Sequence, residues 1–432
     1  MALSKRSTHL LVLMWVFILV SPVSAQISKV DREKGHKMLT DIVQMIRTHY
    51  YDPQLHGVDL DALSKAADEK ISQAPTVAAM FAAIADLLRN LDDSHTYFLP
   101  PQPVTYHHQW EMQSIGDKCY IVSIEPGSEA ELKGLKLGDQ VVALNGVKVT
   151  RESLVVIDYF YSALSPQPGF DLDLLSPEGT RRTLRIMAKE NKQTPSGWNS
   201  YIAFRNAVSE DQKARHQYLL RTIKLSDESI LWPLKQFALT AAEIDDTMSK
   251  IRNFDNLVLD LRGNTGGLEE NLLRLLGYFF DHDVKVGELK RRSETRPLVA
   301  QSRGVFRGKL VVLVDSWSSS ASELFARAMQ LEGRAVVLGD QTPGQVMRSR
   351  NHLLRMDTKS NLGIGYVLSI TDADIVMKDG KGLERVGVTP DELLLPSPKD
   401  LAGKLDPVLQ RAAALVGKQL TAAEAYKLLH DN

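Results

Sequence analysis

The chain has 432 residues, 44% of them apolar and 24% charged, with 52 Lys plus Arg against 53 Asp plus Glu. That length allows about two to four domains, and the composition is globular, which excludes a chain dominated by disorder, collagen or coiled coil. A formal charge of −1 argues against bulk electrostatic binding to nucleic acid or anionic lipid, and the single cysteine, Cys119, excludes an intrachain disulfide, a multi-cysteine zinc site and a CxxC redox pair.

The N-terminus reads as an address. Lys5 and Arg6 precede an unbroken apolar run of 11 residues, Leu10 to Val20, which Pro22 ends. Val23-Ser24-Ala25 then places small residues where a signal peptidase reads. This is the pattern of a signal peptide over residues 1–25, cleaved after Ala25, with an uncleaved membrane anchor as the rival reading, although the run is short of the roughly 20 residues a spanning helix needs. The expectation is an exported protein, periplasmic or secreted, with no integral membrane span after cleavage.

From Lys29 to about Leu91 the spacing is helical. Phe81, Ile84, Leu87, Leu88 and Leu91 share one face, and Asp52-Pro53 and Ala74-Pro75 punctuate the segment. This predicts a helical N-terminal domain over residues 26–103. From about Trp110 to Ala188 the pattern changes to short strands, including Cys119–Ile124 and Gln140–Leu144, the latter closed by the hairpin pair Asn145-Gly146. From about Tyr201 to Pro396 strands and helices alternate. Leu257–Leu261, Leu310–Val314 and Ala335–Gly339 read as strands of a parallel sheet, with helices expected at Leu268–Phe280 and Ser320–Gln330. A last helical stretch follows from Asp406 to His430.

Two strand-to-helix loops carry residue types suited to acyl transfer. One ends in Thr265-Gly266-Gly267, whose glycines leave backbone N–H groups uncovered at a helix start. The other is Ser318-Ser319-Ser320-Ala321-Ser322-Glu323, where a serine hydroxyl would stand beside unpaired helix donors able to hold an oxyanion. If the two parent strands are neighbours, one N–H from each loop converges on one point. Taken singly, either loop is equally a turn or a helix cap. His107-His108 is the only histidine pair, and adjacent strand residues face opposite ways, so no shared metal is expected there.

Two resemblances are carried by these residues. Val122-Ser123-Ile124-Glu125-Pro126-Gly127-Ser128-Glu129-Ala130, with Gly134-Leu135, Gly138-Asp139 and Leu144-Asn145-Gly146, resembles a PDZ domain, here residues 104–192. Leu257 to Gly267, Val314 to Met329, Gly333-Arg334-Ala335, Gly339 to Gly344 and Gly387-Val388-Thr389-Pro390-Asp391 together resemble the tail-specific (C-terminal processing) and tricorn-core serine peptidases. The resemblance implies a multidomain α/β protein: a peptidase core over residues 193–400 with a ClpP/crotonase-like fold, followed by a helical segment over 401–432. It makes Ser320 the nucleophile, with the N–H groups of Ala321 and of Gly266 or Gly267 as the oxyanion hole. It implies no metal, nucleotide or other cofactor.

One departure bears on mechanism. The processing peptidases of this resemblance place a lysine base after the Thr-x-Gly turn, and here that position is Gln345. An amide does not accept a serine proton at useful pH, so either the base lies elsewhere or the protein cleaves nothing. The tricorn-like branch uses a histidine next to a serine, ahead of the core, and a glutamate near the Gly-Val-x-Pro-Asp motif. Ser94-His95 and Glu384 occupy those places, making His95 the expected base, Glu384 its orienter and Ser94 an auxiliary polar contact. Read by its own turn, His95 is also a backbone cap, and Glu384 by itself a solvated acid.

The expectation is therefore an exported serine peptidase acting on extended or unfolded polypeptides, which the PDZ groove presents by their C-termini. The alternative is an inactive pseudopeptidase that binds peptides through that groove. A third reading, acyl-CoA chemistry of the crotonase type, conflicts with the signal peptide.

Overall fold

The computed structural model describes residues 27–101, 104–191, 219–356 and 364–430. The expected signal peptide, its cleavage point and the domain boundaries near residues 103 and 192 lie outside the described residues. Among the described residues, no helix is long and apolar enough to cross a membrane. They fall into two compact units, one within Met1–Asn206 and Ser349–Asp372, the other within Ala207–Arg348 and Ala373–Asn432. The interval 193–400 expected as one core thus contains a segment, Ser349–Asp372, that clusters with the first unit.

In the first unit, the helices Lys29–His49, Leu60–Gln73 and Val77–Arg89 begin at side-chain caps. Ser28 and Asp31 form a capping box, Asp59 accepts from the Ala62 N–H, and Thr76 accepts from the Ala79 N–H. The breaks fall at the two X-Pro pairs read from the sequence. Phe81, Ile84, Leu87, Leu88 and Leu91 are all buried, so the expected face is the packed one. The strand Tyr97–Leu99 pairs antiparallel with Val367–Ser369.

A small antiparallel sheet follows, in the order Trp110–Ile115, Lys118–Ile124, Gln140–Leu144, Gly169–Leu175, Arg181–Met187. Asn145 and Gly146 both take positive φ (48° and 77°), the conformation a two-residue hairpin turn requires. The sequence pattern misses one element here, the helix Arg151–Tyr159. Its Val155-Val156-Ile157 run is strand-like by composition, but Thr150 and Ser153 form a capping box and the Val156 and Ile157 side chains are buried. His107 reaches Glu125 whereas His108 stacks on Phe170, so the two rings do face apart.

The second unit is built on a sheet ordered Ile223–Lys224, Ser229–Pro233, Asn256–Asp260, Lys309–Val314, Val336–Gly339, Glu392–Leu393. All neighbours after the first pair run parallel. Parallel strands are covered on both faces, which is why Leu257-Val258-Leu259 and Leu310-Val311-Val312-Leu313-Val314 are continuous apolar runs. Leu257, Val258 and Leu259 are fully buried, and each such side chain contributes about 1.5–3 kcal/mol. Leu257 and Leu259 join the cluster of the helices Ala241–Ile251, Glu269–Leu276 and Ala321–Leu331. Val258 joins that of the C-terminal helices Pro407–Leu415 and Ala422–His430.

Arg262 ties the strand end to those C-terminal helices. Its guanidinium donates to both oxygens of buried Asp260 (3.0 and 2.8 Å) and both oxygens of Asp406 (3.0 and 2.8 Å). Asp406 also accepts from the Leu409 N–H at 2.8 Å and so caps the helix it precedes. The paired carboxylates hold the guanidinium pKa well above its usual value, against the cost of burial.

Candidate active site

The register of the parallel sheet sets Asp260 beside Leu313, so the strands Asn256–Asp260 and Lys309–Val314 end side by side. In open α/β sheets the loops leaving such carboxyl ends form the ligand site. The two loops singled out by sequence are those loops, and they are sewn together. The Gly263 N–H donates to Asp315 Oδ1 at 3.0 Å. The Asn264 carbonyl accepts from the Ser319 N–H (3.0 Å) and from Ser322 Oγ (2.9 Å).

Gly266 packs directly on Ser320. A Cβ at Gly266 would lie 2.7 Å from Ser320 Cβ and 2.9 Å from the Ser319 carbonyl, and its φ is +93°. A Cβ at Gly267 would lie 2.4 Å from the Phe237 carbonyl, with φ at +145°. Both positions therefore exclude a side chain. The two glycines differ as donors. The Gly266 N–H is spent on the side-chain oxygen of fully buried Asn264 at 2.8 Å. The amides of Gly267 and Ala321 have no acceptor among the described residues. The expectation that left Gly266 and Gly267 open thus narrows to Gly267 as the uncommitted one.

Ser320 is half-buried and sits just ahead of the helix Ala321–Leu331 with φ 56° and ψ −118°. A residue bearing a Cβ adopts that conformation at a cost on the order of 1–3 kcal/mol, and such strain concentrates at strand-to-helix nucleophile turns. Its N–H is shared between the Gln345 carbonyl and Glu323 Oε2, both at 3.0 Å. The Gln345 position thus does adjoin the serine backbone, with an amide side chain in place of an amine.

Sequence reasoning noted Glu323 within its motif but gave it no role. The residue is fully buried and accepts four hydrogen bonds. Thr342 Oγ1 (2.6 Å) and the Gly344 N–H (2.8 Å) donate to Oε1. The Gln345 N–H (2.9 Å) and the Ser320 N–H donate to Oε2. Burial pushes its carboxyl up to about 7, against the pull of those donors. The Ser-x-x-Glu spacing of a capping box was the available signal.

Glu384 points inward. Its side chain is 14% exposed, Oε2 accepts from the Val346 N–H at 2.8 Å, and Oε1 lies 3.8 Å from Arg385 Nε. The solvated-acid reading does not hold. Ser320, Ala321, Gly266, Gly267, Gln345 and Glu384 all belong to the second unit, whereas Ser94 and His95 belong to the first.

In that first unit, Ser94 Oγ and His95 Nδ1 are 2.7 Å apart. The turn around them is held by Asp93, also passed over in the sequence. Its Oδ1 accepts from the N–H groups of His95 (2.9 Å) and Thr96 (2.6 Å) and from Thr371 Oγ1 (2.7 Å). Asp93 thus caps the backbone N–H groups of His95 and Thr96 in this turn.

Residues 233–394 match the model of peptidase family S41. Over that interval the chain is similar to the S41 peptidases. Its similarity runs well beyond the matched interval. It is 24% identical over 359 residues to carboxyl-terminal-processing peptidase 1, chloroplastic, of Arabidopsis thaliana, covering 78% of this chain and 67% of that protein. It is 23% identical over 388 residues to a probable CtpA-like serine protease of Staphylococcus aureus strain N315, covering 87% and 68%. The solved structure of mature CPAF superposes with a TM-score of 0.66 at 13% identity, over 94% of this chain and 99% of that one. The photosystem II D1 C-terminal processing protease does so with a TM-score of 0.53 at 20% identity, over 91% and 99%. The chain is thus a serine-type peptidase similar to the carboxyl-terminal-processing serine proteases, and it shares their fold. The family interval contains the Gly266 and Ser320 loops, Gln345 and Glu384, while Ser94 and His95 precede it.

Proposed function

We propose that this chain is an exported endopeptidase for extended or unfolded polypeptides that works through Ser320, His95 and Glu384 in place of a serine–lysine pair. The observation that carries the reading is the strained Ser320 at a helix start, next to the Gly266-Gly267 turn, with the Ala321 and Gly267 amides uncommitted. Ser320 Oγ attacks the scissile carbonyl carbon while its proton passes to His95 Nε2. The carbonyl oxygen, now anionic, takes the Ala321 and Gly267 N–H groups. His95 then protonates the leaving amine as the C–N bond breaks, and water releases the acyl group by the same route.

The contact between Ser94 and His95 Nδ1 supports the choice of base. In the tautomer that carries its proton on Nδ1, the ring donates to Ser94 Oγ and Nε2 is the proton-accepting nitrogen the mechanism requires. Glu384 supplies the carboxylate charge that favours the imidazolium once formed. The β-sheet unit with the PDZ-like turns offers an edge to which an extended substrate adds as a strand. Export rests on the N-terminal address.

Gln345 favours a second reading, a peptide-binding scaffold without hydrolysis. A labelled fluorophosphonate separates the two. Labelling that is lost in both Ser320→Ala and His95→Ala is expected. A wild-type chain that resists the reagent supports the scaffold, and labelling that survives His95→Ala removes His95 as base.

A further inference from the structure

Glu323 is sealed from solvent, has no cationic partner among the described residues, and accepts four hydrogen bonds beside the Ser320 turn. We infer that Glu323 is a positioning residue that locks Ser320 in its strained conformation, and this rests on reading Ser320 as the nucleophile.

Three features carry the inference. The first is direction. All four partners are donors: the N–H groups of Ser320, Gly344 and Gln345 and the hydroxyl of Thr342. Thr342 Oγ1 itself accepts from the Val388 N–H at 2.7 Å, which leaves its own proton for Glu323. Two oxygens accepting two bonds each is what a carboxylate can do and an amide cannot.

The second is closure. Glu323 lies in the first turn of the helix that Ser320 precedes, and the 342–345 segment it grips returns the Gln345 carbonyl to the Ser320 N–H at 3.0 Å. The serine amide is thus held by two acceptors that are themselves held by each other. A φ of 56° at a residue with a Cβ persists only where its surroundings over-determine it.

The third is isolation from substrate. Glu323 has no exposed surface, so nothing bound at the site can touch it. If its carboxylate is lost, the Ser320 backbone is released toward ordinary φ. The hydroxyl and the Ala321 N–H then shift relative to one another. Ground-state binding, made elsewhere, is untouched. The effect falls on kcat and leaves KM. A plain helix cap would cost stability alone.

The test uses the full chain, a peptide substrate and the rate of fluorophosphonate labelling. Glu323→Gln is expected to lower kcat and the labelling rate by about 100-fold, as a misplacement on the order of 1 Å does, with KM within about threefold. Thr342→Val removes a donor on the far side of the same carboxylate. It is expected to lower Tm while kcat stays within about fivefold. Should Glu323→Gln not fold, Glu323→Asp, too short to span both pairs of donors, carries the same expectation. Either variant keeping kcat within about threefold overturns the inference, as does a Thr342→Val chain that loses kcat as much as Glu323→Gln does. Full activity in Ser320→Ala would remove the underlying nucleophile reading instead, whatever Glu323 does.

Discussion

The Ser320 amide donates to the Gln345 carbonyl at 3.0 Å, so the residue at the position where the family resemblance places a lysine grips the serine through its backbone. The contact needs no particular side chain. Gln345→Ala is therefore expected to leave the fluorophosphonate labelling rate within about threefold of wild type, whereas His95→Ala lowers it by about 100-fold or more. A large loss on truncating Gln345 would mean that its amide orients a reacting group.

Strain at Ser320 separates stability from activity. Ser320→Gly removes the Cβ that disfavours φ 56°. Relief of strain, less the entropy glycine loses on folding, is expected to stabilise the chain by about 1 kcal/mol. Labelling disappears with the hydroxyl. Urea titration of the two proteins measures the first effect, and an unchanged or lowered midpoint would contradict it.

Gly266 packs closely against the Ser320 loop. Gly266→Ala brings a methyl to 2.7 Å from Ser320 Cβ and forces a side chain at φ +93°. A loss of about 2 kcal/mol or more is expected, together with loss of labelling, because the displaced group is Ser320 itself. Retained labelling at normal Tm would show that the loops separate freely.

The pH dependence follows from Glu323. Its carboxyl rises from the ordinary 4.5 to about 7 in the folded chain because burial outweighs its donors. Between those values the folded state holds a proton the unfolded state has released, so stability falls as pH rises from about 4.5 through about 7. Glu323→Gln carries no such proton and should lack that slope. Activity moves the other way, since the ionised form is the one that accepts all four donors. Melting temperatures and kcat measured over the same pH range check both signs, and parallel slopes in wild type and Glu323→Gln would refute them.

The two strand-to-helix loops were legible because each rests on local signals: an apolar run for a buried parallel strand, then glycines or serines where a helix begins. The same holds for the three N-terminal helices, whose caps and X-Pro breaks are neighbours in sequence. The helix Arg151–Tyr159 was hidden by its β-branched residues, which read as strand until the Thr150–Ser153 cap and the burial of Val156 and Ile157 are considered. Asp93 and Glu323 were passed over because an acid in a turn is ordinarily solvated, and only the folded chain reveals that these two are buried beneath donors.

Residue order alone determined which side chains were available for the chemistry. It supplied a serine at a helix start, glycines opposite it, a glutamine in place of a lysine, and a Ser-His pair far upstream. Tertiary structure decided how those groups are spent. It committed the Gly266 N–H to Asn264 and left those of Gly267 and Ala321 uncommitted, and it turned Glu384 inward toward Val346. The reason is physical. Propensity and turn chemistry act over a few residues, whereas a hydrogen-bond partner is chosen by which segments the parallel register of the sheet brings together.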